Sequence, residues 1–298
     1  MAKKTFQSIA GGNATGITVL DSDKQLTTLA SYGAGAPWRP SAPAEGDAKL
    51  LGICGNAVDG VAVLQDDKQV KYLTVVDSPL ADWKVVDGAP GVSAPVGIAG
   101  SPGGTLVVYG GTEAAAQKLG SGSWTALPAL PSKAVGAAGD LGGSLYLVIN
   151  AGKGGRVLQY LPPVAKPAPA AAAPATDGKD AKAAAAPAAT AATQPEMTTP
   201  AWSDSVLDIP FNVELMCGDN RSGFVFYGEG QLQSVQDFSK KPTPLPAPPF
   251  KLKALSGNAK EGLVAIAGEG DFIVYCPDPS KPAWNVALGP LAVEAEPS

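Results

Sequence analysis

"SIAGGNATGITVLDSDKQLTTL" occupies residues 8–29, and 44 residues later the same plan returns as "GICGNAVDGVAVLQDDKQVKYL" at 52–73. From Gly16 and Gly60 onward, seven of fourteen positions are identical. In both copies an apolar run ends at a Gly, a few residues intervene, and a second Gly opens another apolar run. The device recurs as "GIAGSPGGTLVVY" (97–109), "GAAGDLGGSLYLV" (136–148), "LMCGDNRSGFVFY" (215–227) and "ALSGNAKEGLVAI" (254–266). The first glycines are Gly11, Gly55, Gly100, Gly139, Gly218 and Gly257, at intervals of 44, 45, 39, 79 and 39. Self-similarity at a period near 40 residues identifies a repeat architecture before any local assignment is made.

A second mark travels with the first. Trp38, Trp83, Trp124, Trp202 and Trp284, all the tryptophans of the chain, fall late in their repeats. They stand 22, 23, 20, 59 and 22 residues after Gly16, Gly60, Gly104, Gly143 and Gly262. The repeat beginning at Gly218 carries "PTPLPAPPF" where its tryptophan is due. Both outlying spacings have one cause: residues 162–200, with sixteen Ala and eight Pro in 39 positions. Removing those 39 residues brings 79 to 40 and 59 to 20. The segment has too few large apolar side chains to hide a further repeat. It reads as a Pro-stiffened loop or tether inside repeat four, and alternatively as a partner-binding arm.

Within a repeat the pattern predicts four strands. In the second they are "LLGIC", "VAVL", "VKYLTVV" and "WKVV", short and β-branched, separated by Gly-rich or polar turns. Such a unit cannot bury its faces alone, so six of them must stack and close on themselves. The expected fold is all-β, with blades over 6–49, 50–94, 95–134, 135–161 plus 201–212, 213–252 and 253–298. The 162–200 insertion then lies in blade four. Each repeat begins with its innermost strand, so blades one and six are each complete within one stretch. The tail "LAVEA" at 291–295 is not placed by the pattern.

Six four-stranded meanders of about 40 residues resemble the β-propeller repeat. The resemblance covers nearly all of the chain outside the insertion and matches no named subfamily. The WD dipeptide is missing. Kelch-like features are limited to "GG" at 103–104 and 142–143 and the late Trp, and nothing is similar to the sialidase Asp box.

Composition removes several functions. The formal net charge is −5 and no basic run exceeds a pair, which excludes a phosphate-neutralising surface for nucleic acid. No segment approaches the 18 or so apolar residues that cross a bilayer. "MAKKTFQSIAGGNATG" carries no apolar stretch of the secretory kind, so synthesis in a cytoplasm is expected. Histidine is absent, which removes imidazole catalysis and His-ligated metals. Three cysteines form no disulfide framework.

Candidate sites are correspondingly sparse. Cys54 and Cys217 stand just before the first Gly of blades two and five, opposite one another in a six-membered ring. Ala10, Ala99, Ala138 and Ser256 complete that ring of small residues. Inner strands offer Glu214, with Asp140 and Asp219 in the following turns, and no fixed carboxylate pair of the glycosidase kind. Asp21, Asp23, Asp66 and Asp67 lack the further oxygen ligands of a calcium loop. The five tryptophans read as inter-blade staples, and alternatively as sugar-stacking platforms at Trp38, Trp83, Trp124, Trp202 and Trp284. The sequence therefore points to a non-enzymatic interaction scaffold without metal or cofactor, part of an assembly such as a virus or phage particle. Its partners are other protein subunits, engaged in part through 162–200; a glycan-binding propeller is the alternative.

Overall fold

The computed structural model describes residues 5–30, 37–44, 48–76, 78–139, 141, 145–164, 197–219, 221–281 and 283–288. The insertion beyond Val164 and before Met197, Asp140, and the "LAVEA" tail lie outside those residues. Blade one comprises β1 (Phe6–Gly12), β2 (Gly16–Asp21), β3 (Leu26–Leu29) and β4 (Arg39–Pro40). Blade two is β5 (Leu50–Asn56), β6 (Gly60–Gln65), β7 (Val70–Leu73) and β8 (Lys84–Val85). Blade three is β9 (Gly97–Gly100), β10 (Thr105–Gly110), β11 (Glu113–Lys118) and β12 (Thr125–Ala126). Blade four has β13 (Ala134–Ala138), β14 (Tyr146–Ala151), β15 (Gly154–Leu161), β16 (Ala201–Trp202) and β17 (Leu207–Ile209). Blade five is β18 (Leu215–Asp219), β19 (Gly223–Gly228), β20 (Gln231–Val235) and β21 (Thr243–Leu245). Blade six is β22 (Leu252–Asn258), β23 (Gly262–Ala267), β24 (Phe272–Cys276) and β25 (Asn285–Leu288).

Each blade is an antiparallel meander in chain order, and β17 joins blade four by pairing with β15. The first strands β1, β5, β9, β13, β18 and β22 stand side by side and return to β1, closing a six-bladed propeller. The second strands explain why the apolar runs are unbroken. β2, β6, β19 and β23 are buried at every position, because each is covered on both faces by neighbouring blades. Core side chains collect in six clusters, one per junction. Leu20 and Leu26 meet Val61, Val63 and Leu73 between blades one and two. Phe6, Ile17 and Val19 meet Val264, Ile266 and Ile273 between blades one and six.

The glycines that reveal the repeat have a steric cause. All six first glycines have φ between 85° and 114°, a region that favours Gly. The second half of the opening motif is a hairpin tip: Lys24 (φ 62°) and Lys68 (φ 69°) take positive φ at the end of three-residue tips, whereas blades three and four turn through two-residue tips opened by Gly111 and Gly152. Asp21 supports its tip by accepting the backbone N–H groups of Asp23 (2.8 Å) and Gln25 (2.9 Å), an Asx-type turn.

Two expectations change. The third and fourth strands of blade two are shorter than "VKYLTVV" and "WKVV": β7 spans four residues and β8 only two. With solvent on the outer side, a blade has little reason to extend its edge. In blade three the second glycine is not the register position. Gly100 pairs with Leu106, so Thr105 stands where Gly16, Gly60, Gly223 and Gly262 stand in other blades. Gly104 lies inside the turn.

Blade four is closed across the neck of its insertion. The Thr198 N–H donates to the Val164 carbonyl at 2.8 Å. The Val164 N–H donates to Thr198 Oγ1, also at 2.8 Å. Chain leaves and re-enters at one place, beyond the outer end of β15.

Candidate functional site

Strand direction sorts the loops. Hairpins between first and second strands, and connections between third and fourth strands, emerge on one face, here the hairpin face. Tips between second and third strands and the links between blades emerge on the other. A central channel of about 600 Å³ opens to the hairpin face. Its wall is the inner edge of the six first strands: Ala10, Cys54, Ala99, Ala138, Cys217 and Ser256, then the ring of first glycines. Its rim carries Asn56 and Asp59 from blade two, Asp219 and Arg221 from blade five, and Asn258 and Glu261 from blade six.

The rim's polar groups are largely engaged in holding the hairpins. Asn56 Oδ1 accepts the N–H groups of Val58 (2.8 Å) and Asp59 (2.7 Å). Asp219 Oδ1 accepts those of Arg221 (2.7 Å) and Ser222 (2.8 Å). Asn258 repeats the arrangement with Lys260 (3.0 Å) and Glu261 (2.7 Å). Glu214 sits away from this rim, where its Oε1 accepts the Glu229 N–H at 3.2 Å. Asp66, from the acidic pair of blade two, accepts the Lys49 N–H at 3.0 Å. Among the described residues no group of three His, Cys, Asp or Glu is placed to hold a metal.

Cys54 and Cys217 take the ring positions expected of them, and both are free and buried. Burial pushes both thiols up, aided at Cys217 by the charge of Asp219. Tyr109 is pushed up to about 12, mainly by burial and secondarily by Cys54. A buried thiol held protonated is a poor nucleophile. Cys276 serves a turn: its Sγ–H lies 3.3 Å from the Asp278 carbonyl and 3.5 Å from that of Lys281.

All five tryptophans are partly buried, each against the blade before its own. Trp83 packs into the junction of blades one and two, Trp124 into two and three, and Trp202 into three and four. Trp284 packs into five and six, and Trp38 into six and one. The Trp202 Nε1–H donates to the Pro128 carbonyl at 2.7 Å. Blade five meets the same need by another route. Phe238, from the connection before β21, stacks on Phe224 with centroids 5.0 Å apart and lies 4.5 Å from Tyr146 of blade four. The expected substitute "PTPLPAPPF" instead sends Phe250 edge-on to Trp284, at 5.8 Å.

The surface of the hairpin face was not legible in the sequence. Of ten large apolar side chains exposed among the described residues, six belong to this face. Val58 (71% exposed), Val75 and Leu80 (88%) come from blade two; Leu161, Val164 and Met197 surround the neck of the insertion in blade four. Val85 and Val286 lie on outer strands, and Val96 and Phe272 lie toward the opposite face.

No known protein family matches this sequence, and no curated protein matches it either. Solved structures resemble its fold. The WD40 β-propeller domain of Doa1 aligns over 94% of this chain and 96% of its own, with a TM-score of 0.53 at 9% identity. YCF48 bound to D1 peptide aligns over 96% and 83%, with a TM-score of 0.49 at 10% identity. YCF48 from Cyanidioschyzon merolae aligns over 95% and 85%, with a TM-score of 0.47 at 10% identity. At such identities the likeness to the Doa1 domain speaks for the fold: this chain is a six-bladed β-propeller.

Proposed function

We propose that the protein is a non-enzymatic interaction scaffold whose hairpin face binds other protein subunits. The observation that carries this reading is the concentration of exposed apolar side chains on one face. Val58, Val75 and Leu80 flank one side of a hydrogen-bonding rim, and Leu161, Val164 and Met197 flank the neck of an Ala/Pro-rich segment on another. Apolar patches rimmed by polar groups are the usual signature of a protein-binding surface. Enzymatic use of the channel draws little support from its chemistry. The two thiols are held protonated, and the side chains of Asn56, Asp219 and Asn258 are occupied with backbone donors. As a setting we propose a cytoplasmically assembled multi-subunit particle of the virus or phage kind, with 162–200 reaching to a neighbour.

Cross-linking of the native assembly through lysines tests the orientation. Links to partners are expected from Lys118, Lys240, Lys241, Lys260 and Lys281, which lie toward the hairpin face. Links confined to Lys24, Lys49, Lys68, Lys133, Lys153 and Lys251 on the opposite face would overturn the assignment. Leu80→Asp combined with Val58→Asp, both fully surface changes, should weaken incorporation and leave the fold intact.

A further inference from the structure

Five of the six junctions join blades that are consecutive in the chain. The junction of blades six and one is not, and among the described residues every sheet is built from one continuous stretch of sequence rather than by exchange of a terminal strand. That seam therefore has to be held by contacts alone. We propose that Lys253 and Ser256 form a clasp specific to the seam, which replaces chain continuity in keeping the ring shut.

The comparison among blades carries the proposal. Lys253 is the extra residue of a β-bulge at the start of β22, between Leu252 and Ala254. The same bulge opens blades one, two and four, where the extra residues are Gln7, Leu51 and Val135. A bulge re-aims its side chain; here it sends the Lys253 ammonium across the seam. Its Nζ donates to the Phe6 carbonyl at 2.9 Å and reaches Gln7 Oε1 at 3.4 Å. Ser256 holds the ring position occupied elsewhere by Ala or Cys, and its hydroxyl donates to the Gly11 carbonyl of blade one. A backbone bond from the Phe6 N–H to the Gly270 carbonyl, 2.8 Å, lies beside them. Gly270 has φ 98°, and a Cβ there would stand 2.5 Å from the Phe6 oxygen and 3.0 Å from Lys253 Nζ. Thus where blades one to five carry Ala or Cys at the ring position, and blades two and four carry Leu or Val at the bulge, blade six carries donors, and both reach carbonyls of the one blade it is not chained to. Only blade one has another polar bulge residue, Gln7, which faces Lys253 across the seam.

The substitutions that test the clasp are ones the fold already tolerates: Ser256→Ala, the residue of blades one, three and four, and Lys253→Leu, the residue of blade two. Amide hydrogen exchange of the full chain is the readout, strand by strand. The double variant should accelerate exchange in β1 and β22 by roughly tenfold or more, for two lost hydrogen bonds, one of them charged. Strands β9 and β13, whose junction is covalently continuous, should keep their rates. Cys217→Ala, at the same ring position between blades five and six, removes only a buried sulfur and should accelerate exchange in β18 and β22 by less than the double variant does in β1 and β22. Joining the chain ends head to tail should suppress the effect of the double variant. Uniform acceleration in all six blades, unchanged exchange in β1 and β22, or an equal local effect from Cys217→Ala would each overturn the proposal. Should the double variant fail to fold, Ser256→Ala alone decides the matter by the same comparison.

Discussion

Gly100 shows how a single position enforces the repeat. Its φ is 93°, and a Cβ there would lie 1.8 Å from the Thr105 carbonyl oxygen. Gly100→Ala therefore meets both an unfavourable backbone region and a collision, and should cost about 2–3 kcal/mol in chemical unfolding. Gly120 has φ 84° with nothing near its absent Cβ; Gly120→Ala should cost only about 1 kcal/mol. The tryptophans divide in a similar way. Trp202 donates its indole N–H to Pro128, whereas the buried nitrogens of Trp83 and Trp124 have no partner. Trp202→Phe should thus lose about 1 kcal/mol more stability than Trp124→Phe. Thiol protonation sets a pH limit as well. Cys54 and Cys217 are raised in the fold by burial, so between the ordinary thiol value near pH 8.5 and the higher folded values only the unfolded chain loses these protons. Stability contributed by the neutral thiols is complete below that window and declines as pH rises through it. Unfolding midpoints should fall on the alkaline side, and Cys54→Ala with Cys217→Ala should flatten the decline.

At the level of strands and loops, sequence periodicity carried the inner half of each blade and faded toward the rim. Second strands are buried on both faces and first strands are crowded around the channel, so their residue types are constrained and the Gly-bounded pattern survives in all six copies. Outer strands such as β4, β8 and β12 have two residues each and exposed side chains; apart from the tryptophan packed just before each, nothing there compels a repeating choice, and in blade two the sequence overstated the outer strand's length. The substitute for the missing tryptophan was misplaced for the same reason. Packing demands an aromatic volume at the junction of blades four and five but does not dictate the loop that supplies it, and Phe238 does so instead of the Pro-rich run. The insertion obeys the repeat at its boundaries: Val164 and Thr198 bond to each other directly. Deleting 165–196 should accordingly leave the melting temperature within about 3 °C, since a shorter closed loop costs no more entropy. A larger fall in a thermal scan would show that the segment contributes to the fold itself.

The candidate face is a property of the whole ring and had no sequence signal of its own. Val58 and Leu80 belong to separate loops of blade two and Met197 to blade four; all are ordinary residues, and only the strand directions bring them to one side. Ring closure is likewise global. Because six clusters fill six junctions, no blade has a finished surface without both neighbours, and stability follows from the circuit more than from any single unit. Removing blade six, residues 252–298, tests this. The cut would bare Phe6, Ile9, Ile17, Val19 and Leu29 on blade one. On blade five it would bare Val225, Tyr227 and Leu232. These two surfaces are not complementary by design: one is shaped for Val264, Ile266 and Ile273, the other for Leu255, Leu263 and Trp284. The truncated chain should bind a hydrophobic dye and self-associate, without a cooperative thermal transition. A monodisperse fragment that melts cooperatively would show instead that the junction surfaces are interchangeable, and that five blades can bend into a ring.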